Sequence, residues 1–102
     1  MKVNIEFSGG LELMFQSKKK IELNFEERKD AEYQLKDVIE ELRKNHLKEK
    51  EEMFVQSGTV RPGIIVLVND TDWELLEADE YTVQPNDTVS FISTLHGGWK
   101  WD

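Results

Sequence analysis

Leu35-Lys36-Asp37-Val38-Ile39-Glu40-Glu41-Leu42-Arg43-Lys44 decides how this chain folds. Leu35, Val38, Ile39 and Leu42 stand at i, i+3, i+4 and i+7, the spacing of one helical face, and the charged residues between them cover the rest. The start of this helix is poorly signalled, because Asp30 is the only good cap nearby and sits early. Asn45 is a candidate end, although Leu47 can carry the apolar face for another turn. His46 reads as a cation near a helix C-terminus rather than as a ligand.

On either side of the helix the period is two. Val3, Ile5 and Phe7 alternate with polar residues and predict a half-buried strand, and Gly9-Gly10 supplies a turn. Ile21, Leu23 and Phe25 alternate against Lys20, Glu22, Asn24 and Glu26, a second strand that makes a hairpin with the first. Leu11, Leu13, Met14 and Phe15 lie between them and are read as extensions of either strand. Beyond the helix, residues 47 to 58 are mostly polar, with Met53, Phe54 and Val55 as a short apolar island. Arg61-Pro62-Gly63 is a turn signal. Ile64 to Val68 is five apolar residues in a row, which predicts a central strand buried on both faces. Asn69 to Asp72 is turn chemistry, Trp73 to Leu76 a short strand, and Pro85-Asn86-Asp87 another turn. Val89 to Thr94 is the last strand, with Val89, Phe91 and Ser93 on one face. One helix crossing one face of a mixed sheet of about five strands buries both apolar faces in a single core. The expected class is α+β; the order of elements points to the β-grasp arrangement of ubiquitin, and on order alone other small α+β folds stay open.

Composition bounds the function. The 102 residues suffice for one domain, and no apolar run approaches the roughly 20 residues of a membrane span. The N-terminus lacks the apolar stretch and cleavage site of a secretory leader, so the expected location is the cytoplasm, with the nucleus as a second compartment, and no membrane association. Cysteine is absent, which excludes disulfides, thiolate zinc sites and a cysteine nucleophile. The net charge of −8 repels phosphate backbones and argues against direct nucleic-acid binding, and Lys18-Lys19-Lys20 reads as a solvated turn. Asn69-Asp70-Thr71 and Asn86-Asp87-Thr88 match a glycosylation pattern but are better explained as turns. Asp70, Asp72 and Glu74 alternate like the start of a calcium loop without its glycine or distant glutamate. The two histidines have no nearby ligand partner, and Ser8-Gly9 and Ser57-Gly58 lack a nucleophile-elbow pattern. No metal, no bound cofactor and no catalytic group of the chain's own is expected, and a monomer is the expected state. Trp73 reads as a core or rim aromatic.

The C-terminus is different. The last strand runs into Leu95-His96-Gly97-Gly98. Two glycines after a strand can be an ordinary turn. Here they can equally form a tail of four residues, reaching at most about 14 Å from the sheet. Glycines lack a Cβ and can pass through a channel too narrow for other residues. Such a tail delivers a main-chain carboxylate into another protein's active site, with Leu95 as an apolar handle beside it.

Val60 to Leu75, Ser90 to Gly98 and Val3 to Phe15 closely resemble the eukaryotic ubiquitin-related modifier family, and the similarity covers essentially residues 2 to 98. The resemblance implies a β-grasp fold and a sulfur carrier. In that family an E1-like adenylyltransferase and sulfurtransferase uses ATP to adenylate the terminal glycine carboxylate. A persulfide on the enzyme then supplies sulfur, leaving a thiocarboxylate. The sulfur passes through a tRNA thiolase complex to the wobble uridine of cytosolic tRNAs, and the activated tail can also be attached to lysines of target proteins. Carried over residue by residue, Gly98 is the acyl carrier, Gly97 gives clearance, and Leu95 and His96 line the approach to the activating enzyme.

Family members end at the second glycine, whereas this chain continues with Trp99-Lys100-Trp101-Asp102. The expected division is therefore a ubiquitin-like domain over residues 1–96, a diglycine tail at 97–98 and an extension over 99–102. With the extension in place the Gly98 carboxyl is held in a peptide bond and cannot be adenylated. A precursor cut after Gly98, a product of chain design or alternative transcript structure, and a natural form that does not conjugate are all compatible with it. In the last case the chain would be a ubiquitin-like binding module without C-terminal activation.

Overall fold

The computed structural model describes residues 1–29, 31–47 and 51–94. Among them, β1 (Lys2–Ser8), β2 (Lys20–Asn24), β5 (Ile64–Val68), β6 (Thr71–Asp72) and β7 (Thr88–Ser93) form one sheet in the order β2-β1-β7-β5-β6. A separate hairpin pairs β3 (Val55–Gln56) with β4 (Thr59–Val60). β1 and β7 run parallel at the centre, and the other pairs are antiparallel. This mixed sheet with one helix, α1 (Leu35–Asn45), packed on it is the β-grasp arrangement.

Register explains the core. Val3 lies opposite Leu23, Ile5 opposite Ile21 and Val89, Phe7 opposite Phe91, and Phe91 opposite Val66. Cross-strand partners share a face, so these residues form one apolar surface. Onto it α1 lays Leu35, Val38, Ile39 and Leu42, all buried. Each buried side chain of this size contributes about 1.5–3 kcal/mol against the entropy of ordering the chain. Four phenylalanines close a circuit within this core. Phe7 stacks on Phe15 with centroids 4.0 Å apart, Phe15 meets Phe54 edge-on at 5.3 Å, Phe54 meets Phe91 at 5.4 Å, and Phe91 returns to Phe7 at 6.0 Å.

Several local expectations change. Leu11–Phe15 is a 3₁₀ helix and extends neither strand; Leu11, Met14 and Phe15 turn inward and Leu13 outward. Trp73–Leu76 is also 3₁₀, with β6 just before it, and Asp72 Oδ1 accepts from the Glu74 N–H at 2.9 Å. Trp73 is half-buried against the core, at its rim. The helix start is set by Gln34, whose N–H donates to Asp37 Oδ2 at 2.8 Å. Main-chain bonds from Leu35 N–H to the Tyr81 carbonyl and from Val83 N–H to the Tyr33 carbonyl, both 2.8 Å, tie that start to a distant segment. Asp30 lies outside the described residues. α1 ends at Asn45, and His46 Nε2 stands 3.5 Å from Glu41 Oε2. β5 is buried on one face only. Val66 and Val68 point inward, while Ile65 is 41 % exposed on the other side.

Candidate functional site

The tail grows from β7, so the site begins with what holds the end of that strand. β7 is the second central strand and pairs along its length with β1 and β5. Val89, Phe91 and Ser93 are buried on the core face as their alternation required. Beyond Ser93 the sheet continues for one more residue. The Thr94 N–H donates to the Gly63 carbonyl at 3.0 Å, and its hydroxyl donates to the same oxygen at 2.6 Å. Gly63 offers that oxygen because Arg61-Pro62-Gly63-Ile64 is a tight turn. The Ile64 N–H bonds back to the Arg61 carbonyl at 3.2 Å, and Gly63 has φ +99°. Proline second and a positive-φ glycine third are what a type II turn requires.

Gly9 closes the other side. Its φ is +72°, and a Cβ there would lie 2.2 Å from the Ser93 carbonyl oxygen and 3.0 Å from its nitrogen. No side chain fits, so the turn after β1 meets the end of β7 main chain to main chain. The strand end is thus bounded by two glycine turns, one from the first hairpin and one from the turn before β5.

The open face of the sheet runs up to the same point. Ile65 lies opposite Ile92, and Leu67 opposite Ser90. A shallow groove there is lined by Ser8, Lys19, Leu67, Asp70, Ser90 and Ile92. Reading Ile64 to Val68 as buried on both faces concealed this strip, although strict alternation would have placed Ile65 and Leu67 opposite Val66 and Val68.

At the far end of β7, Asp87 is nearly buried. Its carboxylate accepts from the Tyr81 hydroxyl at 2.7 Å, Asn69 Nδ2 at 2.9 Å and the Gln84 N–H at 2.9 Å. Burial, and then the bond to Asp87, push the Tyr81 phenol up to about 12. Asn69 Oδ1 also accepts from the Thr88 N–H at 2.9 Å. This cluster knots three loops and belongs to the fold.

Leu95, His96, Gly97 and Gly98, the residues singled out from the sequence, lie outside the described residues, as does the 99–102 extension. Among the described residues there is no group of three or more His, Cys, Asp or Glu side chains that could hold a metal ion. No helix there is long and apolar enough to cross a membrane.

The family model described as Urm1 (ubiquitin related modifier) matches residues 2–98. The chain belongs to the Urm1 family. Its similarity to individual Urm1 proteins is close. It is 56 % identical over 98 residues to the ubiquitin-related modifier 1 homolog of Dictyostelium discoideum, covering 96 % of this chain and all of that one. It is 45 % identical to ubiquitin-related modifier 1 of Homo sapiens, covering 96 % of each. The solution structure of Urm1 from Trypanosoma brucei superposes with a TM-score of 0.81 at 38 % identity, covering 95 % of both chains. Urm1 proteins are ubiquitin-like sulfur carriers and modifiers that act through E1-like activating enzymes and are not themselves enzymes. The family match ends at Gly98, and residues 99–102 lie beyond it.

Proposed function

We propose that this chain, once it ends at Gly98, carries sulfur as a C-terminal thiocarboxylate for 2-thiolation of the wobble uridine of cytosolic tRNA, and is joined through the same carbonyl to lysines of target proteins. The observation that carries this is the family match, which runs unbroken through the fold and stops at the second glycine. A carboxylate is a poor electrophile until its oxygen becomes part of a good leaving group. Adenylation by the E1-like enzyme does this; the outer sulfur of a persulfide then displaces AMP to give an acyl disulfide, and a thiol cleaves its S–S bond, releasing the thiocarboxylate and leaving a disulfide. Residues 1–96 serve as the docking body and Gly97-Gly98 as the part that enters the partner, with Leu95 and His96 lining the way in. Residues 99–102 must be removed first. The working location is the cytoplasm.

The test uses protein ending at Gly98, incubated with ATP, a Urm1-activating enzyme of verified activity, a sulfur donor and a thiol reductant. Intact mass should rise by the difference between sulfur and oxygen, and the chain that retains Trp99 to Asp102 should not change. No mass change in the shorter chain would overturn the reading. The second reading, a purely non-covalent binding module, is favoured by the extension itself, which blocks Gly98. Under it, deleting Gly97 and Gly98 leaves partner binding and cellular function intact.

A further inference from the structure

β2 is an edge strand. It pairs with β1 on one side, and among the described residues no strand pairs with it on the other. The hydrogen bonds show which groups face that free side. The Phe25 N–H donates to the Met1 carbonyl at 2.8 Å, and the Met1 ammonium donates to the Phe25 carbonyl at 2.7 Å. In an antiparallel pair such doubly bonded positions alternate, so Leu23 and Ile21 turn their main chain to Val3 and Ile5. The N–H and C=O groups of Lys20, Glu22 and Asn24 therefore point outward, and no loop among the described residues bonds to them. An edge of this kind is a template for a further strand.

The space beside that edge is acidic. A groove between the end of β2 and α1 is lined by Phe25, Glu26, Asp37, Glu40, Glu41 and Lys44, among others. Arg43 engages Glu40, and Arg28 stands 3.6 Å from Asp37. Glu41 has only His46 beside it, and Glu26 has no ion partner among the described residues. Phe25 is half-buried and gives the groove an apolar floor. A long basic side chain suits both features: its methylene stem covers the ring while its head reaches the carboxylates. A second copy of this chain does not, because it brings its own acidic groove and a net charge of −8.

We propose that the free edge of β2 takes up an extended basic segment of a partner protein as an additional strand, with alternate arginine or lysine side chains lying in the groove beside α1. Main-chain bonds to Lys20, Glu22 and Asn24 supply affinity, and the alternate side chains supply specificity. The site makes no use of Gly98.

The test adds a capped peptide of about nine residues, alternating arginine and threonine, to the full chain and follows amide hydrogen exchange and chemical shifts residue by residue. Exchange at the Lys20, Glu22 and Asn24 N–H groups should slow about fivefold or more, while the Leu23 and Phe25 N–H groups, already bonded to β1, change little. Two further peptides carry N-methyl groups, one on its arginines and the other on its threonines. Neighbouring residues of a strand turn their main chain to opposite sides, so one of these should bind within about threefold of the parent and the other about tenfold or more weakly. Glu22→Pro removes an outward N–H and leaves the bonds to β1 in place. It should weaken the parent peptide about tenfold, whereas Glu22→Gln, which removes the same charge, should change binding less than about threefold. Retained protection of Leu23 and Phe25 shows that the proline variant is folded; where it is not, the methylated peptides decide. Glu26→Gln combined with Glu41→Gln should weaken binding about fivefold. No binding of the parent peptide, equal binding of the two methylated peptides, or unchanged binding by a folded Glu22→Pro chain or by the double glutamine variant overturns the proposal. So do changes centred on Ile65 and Ile92 instead of β2. Protection of the β2 edge that grows with protein concentration in the absence of peptide assigns the edge to a second copy and overturns it as well. Each of these outcomes leaves the proposed function standing.

Discussion

The Tyr81 hydroxyl donates to Asp87 Oδ2 at 2.7 Å, so among the described residues a phenol supplies one of three donors to a carboxylate that has no cation among its hydrogen-bond partners. An Asp with no paired charge is stable inside a protein only when its oxygens are well supplied with donors. Here the donors come from the 69–70 turn, the stretch before β7, and the main chain of Gln84. Tyr81→Phe removes one donor and leaves the carboxylate in place. The expected cost is about 1–3 kcal/mol, measured as a fall in the urea midpoint at unchanged slope.

The same contact gives stability a pH signature. The Tyr81 phenol titrates near 10.0 when free and is raised to about 12 in the fold, so the folded chain keeps a proton that the unfolded chain has lost. The native state then binds more protons in this interval, and stability falls as pH rises. The contribution is complete below pH 10 and declines between 10 and about 12. Unfolding free energies measured across that range should fall less steeply for Tyr81→Phe than for the unsubstituted chain, and equal slopes would contradict the assignment.

Phe54 shows where the sequence was legible and where it was not. The periods of Val3–Phe7, Ile21–Phe25 and Leu35–Leu42 each place a face on the core, and the structure uses those faces. The order of elements then led to the β-grasp fold. Phe54 has no period around it. It sits in a polar stretch, and its burial follows from the β3–β4 hairpin and the Glu51–Met53 3₁₀ turn, which deliver it between Phe15 and Phe91. The 3₁₀ helices escaped notice for a related reason, since a run such as Leu11-Glu12-Leu13-Met14-Phe15 is too short to show a period. At the C-terminus, residue type and position left Gly97-Gly98 open as a turn or a tail, and the reading as a carrier tail came from the family resemblance. The Thr94–Gly63 bond and the Gly9–Ser93 approach could not be read at all, because each joins residues far apart in the chain.

Phe54 should therefore be among the most sensitive positions in the molecule. It is fully buried, and its ring touches two members of the aromatic circuit. Phe54→Ala removes the transfer energy of the ring and leaves a cavity whose walls, Phe15 and Phe91, are held by separate elements and can collapse only partly. A loss of about 3–5 kcal/mol is expected by chemical denaturation. Phe54→Leu, which retains much of the volume, should cost clearly less. If both cost under 1 kcal/mol, the circuit does not hold the β3–β4 hairpin to the sheet.

Asp37 ties the start of α1 to the residue before it. Its Oδ2 accepts from the Gln34 N–H at 2.8 Å, and Arg28 Nη2 lies 3.6 Å away on a half-exposed surface. The ion pair adds little at that exposure. The cap satisfies a main-chain donor and favours a negative charge at the positive end of the helix. Asp37→Ala should cost about 1 kcal/mol, whereas Arg28→Ala should change stability by less than about 0.5 kcal/mol. A larger effect from Arg28 than from Asp37 would reverse that ranking.

Glu77 stores strain that a single substitution should release. It joins the Trp73–Leu76 and Ala78–Glu80 3₁₀ turns with φ +72° and ψ +18°, and Ala78 follows at φ +53°. Two successive non-glycine residues in the left-handed region are unfavourable, at about 1–2 kcal/mol each. Glycine at 77 removes that penalty but gives the unfolded chain extra freedom, which costs back about 0.4–1 kcal/mol. The difference leaves Glu77→Gly stabilising by about 0.5–1 kcal/mol. Part of any gain could come from deleting a negative charge near Glu74, Asp79 and Glu80, in a chain of net charge −8. Glu77→Gln removes the charge and keeps the backbone penalty, so the thermal midpoint should rise more for glycine than for glutamine. Equal shifts would assign the effect to charge, and a fall with glycine would mean that the left-handed turn carries no strain.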